Sequence, residues 1–230
     1  MQLKEIGKKI LSQDNENHIL QRLFGKIDKG ARILDVGSGK GRNIKFLNEL
    51  GFQNVLGVEI NQNLVDFSNA NNLNAVSVEE LSHVEGEFDV MLFSHIIEHF
   101  DHNALLDFLE CYFSRLKEGG SVIILTPLES NFFYNDFDHV KPYHPQSIAS
   151  VFSNQLEQVQ FNNQFVLDMQ DIYLRKMPFR FLVFNRKILL GRFSFSYAVV
   201  NIFAVMGWFL TGGLLGRVTG WGARYTLKKK

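Results

Sequence analysis

The stretch Arg32-Ile-Leu-Asp-Val-Gly-Ser-Gly-Lys-Gly41 decides the fold. Its apolar run, Ile33, Leu34 and Val36, feeds straight into glycines at 37, 39 and 41, which reads as a buried strand turning tightly into a helix. Residues without Cβ let backbone N–H groups approach an anionic or carboxylate-bearing ligand at a helix N-terminus. The turn therefore predicts a nucleotide-cofactor pocket. Outward from it, Val55-Leu-Gly-Val58 ends in the acidic Glu59, and Glu87-Phe-Asp-Val-Met-Leu-Phe-Ser-His-Ile-Ile-Glu-His99 reads as a further strand with a polar tip.

The dinucleotide fingerprint needs a third glycine three positions after the second, where this chain has Arg42. An NAD-type oxidoreductase is thus the weaker alternative. What remains, Asp35-x-Gly37-x-Gly39-x-Gly41, resembles motif I of the class I S-adenosylmethionine-dependent methyltransferases. The resemblance continues through Glu59, through Glu87 to Phe100, and through Leu116-Lys-Glu-Gly-Gly-Ser-Val-Ile-Ile-Leu-Thr-Pro127, in the family's order and spacing. It implies cofactor contacts from Asp35, Gly37, Ser38, Gly39, Gly41, Ile60 and Ser94, with Glu59 holding both ribose hydroxyls. The acid that often binds adenine aligns with Ser77, so backbone at Val78 and the side chain of Glu79 become the substitutes. The family resembled is the small-molecule type, including quinone-biosynthesis and glycan or lipid methyltransferases.

Strands are predicted near 31–36, 54–58, 74–78, 88–94 and 120–126, alternating with helices over 41–50, 62–70 and 101–116, after two short N-terminal helices ending near Ile27. Such alternation gives a parallel sheet covered on both faces, here a doubly wound, Rossmann-like α/β domain of seven strands. Pro145 opens another helix with Ile148, Val151, Phe152 and Leu156 on one face. A sixth strand is expected around Phe165–Tyr173 and a seventh over 222–230. One domain is expected: a cofactor core over 28–128, a substrate loop, helix and strand over 129–175, and an apolar insertion over 176–221.

The insertion carries an unusual run: Phe193 to Gly216 has no charged side chain and is flanked by Arg186, Lys187, Arg192, Arg217, Arg224 and Lys228 to Lys230. About 20 apolar residues cross a bilayer, but Asn201, Thr211 and the run's glycines dilute it, and cations on both sides give no orientation. Contact with a membrane surface is the expectation, with a lid or homodimer interface as the other readings. A non-catalytic, cofactor-binding membrane protein is the second functional alternative.

The 24 basic and 24 acidic residues balance. A nucleic-acid partner would ordinarily demand a basic excess, so none is expected. The acceptor is predicted to be a small, lipidic or lipid-linked, or glycan, molecule methylated at oxygen. Cys111 is the only cysteine and is expected to be buried and inert. The N-terminus lacks the basic-then-apolar pattern of a signal peptide. The protein is expected in the cytoplasm, either free there or peripheral on the inner face of the cytoplasmic membrane.

An oxygen nucleophile of high pKa needs a base, and histidine titrates in the right range. His95, Glu98 and His99 follow the fourth strand, with His95 read as bordering substrate. The second cluster, Asp136-Phe-Asp-His139-Val-Lys-Pro-Tyr143, resembles a substrate-covering loop of sugar and lipid methyltransferases. His139 is the preferred base, with Asp138 or Asp136 orienting it and His99 in reserve. Tyr143 and Phe133 are predicted to line the pocket beside Phe132, Tyr134 and Phe137. Glu98, His99 and Asp101 lack a diagnostic metal spacing, and no metal is assigned.

Overall fold

The computed structural model describes residues 14–130, 133–153, 164–179 and 193–230. The expected first N-terminal helix, Phe132, Leu156, Arg186, Lys187 and Arg192 lie outside them.

Side chains alternate across the central strands, and that alternation builds two cores. In β1 (Arg32–Val36) Leu34 and Val36 face one side and Ile33 the other; β4 (Phe88–Ser94) sends Met91 and Phe93 one way, Val90 and Leu92 the other. β5 (Leu116–Pro127) repeats the pattern with Val122 and Ile124 against Ile123 and Leu125. One face is covered by α1 (Asp14–Phe24) and α2 (Arg42–Glu49), the other by α5 (His102–Phe113) and α6 (Pro145–Val151). Each fully buried Leu, Ile, Val or Phe is worth about 1.5–3 kcal/mol, so this patterning sets the register of the sheet.

The remaining elements are β2 (Asn54–Glu59), α3 (Gln62–Ala70), β3 (Ala75–Ser77), α4 (Val78–Leu81), β6 (Phe165–Pro178), α7 (Phe193–Leu210) and β7 (Gly216–Lys229). The sheet runs β3-β2-β1-β4-β5-β7-β6, parallel from β3 to β5 and antiparallel where β7 pairs with β5 and β6. It is the expected seven-stranded, Rossmann-like α/β sheet. Strand order reverses between β1 and β4, and ligands of open α/β sheets bind beyond the strand tips at such a point.

Two boundaries differ from the sequence reading. β6 continues to Pro178 and β7 starts at Gly216, six residues before the expected 222, because the two pair as one long antiparallel ribbon. The insertion is therefore 179–215. β7 is seated on α1: a Cβ on Gly222 would stand 2.6 Å from Ile19 Cγ2.

Cys111 is exposed, not buried. Leu105, Leu109, Tyr112 and Phe113 make the buried face of α5, and position 111 falls off that stripe. Among the described residues no helix is long and apolar enough to cross a membrane. On α7, Ile202, Phe203, Met206, Phe209 and Leu210 are exposed at helical spacing, whereas Trp208 packs inward against Gly213 and the start of β7.

Candidate active site

β1 ends in a turn that only glycine fills without strain: Gly37, Gly39 and Gly41 have φ of 71°, 55° and 73°. Gly37 and Ser38 donate backbone N–H groups to Val58 O at 2.9 and 3.1 Å, tying the turn to the tip of β2. Glu59 closes the other side. Its Oε2 accepts from Gly39 N at 2.8 Å and its Oε1 from Asn61 N at 3.0 Å. A carboxylate has further lone pairs to offer a ligand. A Cβ on Gly39 would meet nothing within 4 Å, so the turn opens onto free space.

Asp35 lies fully buried behind the turn and accepts from Asn43 Nδ2 at 3.2 Å. Burial pushes its carboxyl up to about 7, against the pull of that hydrogen bond. Its Oδ2, Ser38 Oγ and Ser94 Oγ are buried atoms without a hydrogen-bond partner, clustered at the tips of β1 and β4. An open glycine cradle flanked by unspent polar atoms and a carboxylate fits a cofactor bearing both ammonium and hydroxyl groups. Ile60 is 88% exposed and Val78 half exposed. Ser77 spends its side chain capping α4, in a capping box with Glu80 that leaves Glu79 outside it.

Beside this cradle stands the loop after β4. A Cβ on Gly37 would lie 2.4 Å from Ile96 Cδ1, so the two strand tips touch. His95, expected to border substrate, is instead wedged between two carboxylates: its Nε2 lies 3.1 Å from Glu16 Oε1 and its Nδ1 3.2 Å from Glu98 Oε1, at a positive φ of 56°. Burial alone would lower its pKa; Glu16, then Glu98, raise it to about 9, so the ring is a cation. Glu16 also pairs with Arg175 and Arg42. Burial would raise the Glu16 carboxyl, but His95, Arg175 and Arg42 together hold it at about 2.

Sequence reasoning missed Glu16 and Arg175. A signal was present for the first: Glu16, Ile19, Leu20 and Leu23 share one face of α1, and an acid on a buried face needs a partner.

Glu98 is fully buried, its Oε2 accepting from Thr126 Oγ1 at 3.0 Å. Its backbone carbonyl accepts from Val140 N and Lys141 N at 2.9 and 3.1 Å, which fastens the second histidine loop to the first. The two rings of His99 and His139 consequently stack edge-on with centroids 5.1 Å apart. His139 Nδ1 bonds Phe133 O at 2.8 Å and His99 Nδ1 bonds Asp138 O at 3.0 Å. Carbonyls only accept, so each Nδ1 carries a proton and the tautomer is fixed: the nitrogen that can offer a lone pair is Nε2.

Three expectations change here. Asp136, with Oδ2 3.7 Å from His139 Nε2, is the carboxylate near that ring, while Asp138 contributes its backbone carbonyl to His99. Phe133 is buried against the His139 ring and supports it, leaving Tyr134 and Phe137 as the exposed aromatics. Tyr143 is buried, donates to Phe100 O at 3.1 Å, and faces a separate apolar cleft of about 290 Å³ between α5 and α6. Asp101 caps α5 through Asn103 N and Ala104 N.

A family model described as a methyltransferase domain matches residues 11–171. No curated protein matches the chain. Among solved structures, a SAM-dependent methyltransferase from Archaeoglobus fulgidus aligns at TM-score 0.57 and 20% identity, covering 98% of this chain and all of that one. The Bacillus subtilis YcgJ protein aligns at 0.57 and 14% identity, with 94% and 99% covered. Phosphoethanolamine N-methyltransferase 2 of Haemonchus contortus aligns at 0.53 and 17% identity over 96% of this chain and 54% of that one.

Proposed function

Because the chain belongs to the methyltransferase domain family, we propose that it moves the methyl group of S-adenosylmethionine to an oxygen of a small, lipidic or glycan acceptor held beside His99 and His139. The NAD-type alternative loses its footing with that membership. Bound in the cradle, S-adenosylmethionine supplies a methyl carbon made electrophilic by its sulfonium. The chain supplies position, and well-held reactants gain on the order of 7–11 kcal/mol. Glu59 takes the ribose hydroxyls. Ser38, Ser94 and the glycine-turn backbone hold the methionine end, with Val78 and Glu79 along the adenine.

The observation that carries the acceptor side is the His99–His139 pair, adjoining the cradle through Ile96. His139 Nε2 takes the acceptor proton as the O–C bond forms and the C–S bond breaks, and S-adenosylhomocysteine departs uncharged. Asp136 steadies the imidazolium. Tyr134 and the 98% exposed Phe137 give an apolar or stacking rim suited to a lipid chain or sugar face. His139→Ala should lower turnover by about 10²–10⁴-fold while S-adenosylhomocysteine binds as before. Normal turnover in that variant, with His99→Ala inactive, would move the base to His99.

In this reading the enzyme works at the cytoplasmic face of a membrane, where the exposed stripe of α7 enters the interface. Arg224, Lys228 and Lys229 are paired with Asp171, Asp168 and Glu87, so apolar burial is the main attraction. Wild type should float with anionic liposomes and Phe203→Glu/Phe209→Glu should not. Wild type that never floats would make the stripe a lid or a dimer contact and remove the support for a lipidic acceptor.

A further inference from the structure

Glu98, His99 and His139 come from two loops, yet a carboxylate oxygen and two ring nitrogens lie within 4.8 Å of one another. We propose that these three side chains bind one divalent first-row transition-metal ion, with positions left open toward the acceptor.

The histidines are prepared as ligands. Each fixes its Nδ1–H on a backbone carbonyl, Phe133 O for His139 and Asp138 O for His99, which is how metal-bound imidazoles are oriented and their tautomer fixed. The lone pairs therefore sit on the Nε2 atoms. Glu98 is fully buried, Thr126 bonds its Oε2, and its Oε1, ion-paired with His95 Nδ1 at 3.2 Å without the alignment of a hydrogen bond, keeps lone pairs for an ion. Buried charges are paired or coordinate metals. Asp136 Oδ2 stands 3.7 Å from His139 Nε2, too far for a hydrogen bond and close to the spacing of two ligands on one ion.

Metal–nitrogen and metal–oxygen distances of about 2.0–2.2 Å put neighbouring ligands roughly 3–3.5 Å apart. Drawing the three groups in by up to about 1.5 Å closes the site. The Val140 and Lys141 bonds to Glu98 O hold the loops ready for that closure. Two imidazoles and one carboxylate suit Zn²⁺, Mn²⁺, Fe²⁺ or Co²⁺ better than Ca²⁺.

The ion's task rests on the methyltransferase reading. An acceptor oxygen facing it loses its proton to solvent more readily, the ion acting as a Lewis acid, and His139 then serves as ligand, not base. The methyl carbon still moves from sulfur to that oxygen, with one proton released per turnover.

The test strips the purified protein with EDTA, then titrates it with Zn²⁺ by calorimetry and with Co²⁺ by visible absorbance. Wild type should bind one ion with the absorbance of a site containing nitrogen ligands. His99→Ala and His139→Ala should each weaken binding at least tenfold, while His102→Ala, on the neighbouring helix face, leaves it unchanged. S-adenosylhomocysteine affinity in the metal-free variants reports folding and the cofactor site separately. No saturable binding, or binding unaffected by both histidine variants, would overturn the site. Full turnover of the stripped enzyme that still depends on His139 would overturn the metal's role and leave the base reading standing; loss of S-adenosylhomocysteine binding in wild type would instead sink the methyltransferase reading.

Discussion

The tips of β1 and β4 touch, yet they are built on opposite plans. The β1 tip works by lacking side chains: glycine backbone, held in left-handed turns, gives its N–H groups to Val58 O and to Glu59. At the β4 tip, His95, Glu98 and His99 are ionisable, and each is held by a group that arrives from elsewhere in the chain. Bulk should therefore be what damages the first and charge what damages the second.

The largest effect expected is from Gly37→Val, which adds a β-branched residue at φ 71° and presses it onto Ile96. Overpacking at about 1–3 kcal/mol joins a left-handed penalty of roughly 1–2 kcal/mol. S-adenosylhomocysteine binding should vanish from a protein of lowered Tm. If affinity and Tm match wild type, the two tips do not touch as described.

Next comes Glu16→Gln, expected to cost near the low end of the about 3–5 kcal/mol for breaking a buried ion pair, since His95 can release its proton. The folded carboxyl titrates at about 2, below the ordinary 4.5. Its stabilisation is therefore complete above pH 4.5 and fades as pH falls toward 2. Thermal melts from pH 6 to 3 should steepen for wild type relative to the variant. Parallel curves would show that the charge is not what matters there.

Glu59→Ala removes the acceptor of Gly39 N–H and, in the proposed function, of the ribose hydroxyls, a loss of about 1.5–3 kcal/mol. Calorimetry should show S-adenosylhomocysteine bound tenfold or more weakly, and unchanged affinity would take Glu59 out of the site. The smallest effect belongs to Cys111→Ser, on the exposed side of α5: Tm and turnover should stay within error.

The same contrast explains what was legible beforehand. The glycine turn, Glu59 and the alternating strands are written in contiguous residues, where period and turn chemistry suffice. The β4 tip is not. Glu16 is 79 residues from His95, and Arg175 is 159 from Glu16; no local pattern announces such partners. The type and spacing of Asp138 suit a side-chain role, but the loop turns its carbonyl to His99 instead. The last strand extends further than its sequence announces because Gly216 to Trp221 contains two glycines, poor strand formers by propensity that pair here because β6 runs alongside the whole stretch and β5 joins from Gly220.

That flanking position of β7 matters during synthesis. The strand lies between β5 and β6 but follows both in the chain, so β5 emerges from the ribosome with a bare edge and β6 with no neighbour to receive it. At about 5–20 residues per second, the interval from Pro127 to Lys229 lasts on the order of ten seconds. For that time a nascent chain displays unpaired backbone along Ser121 to Pro127, the kind of edge other chains pair with. Yield in a cell will depend on how well that edge is shielded until Trp221 arrives to cover it.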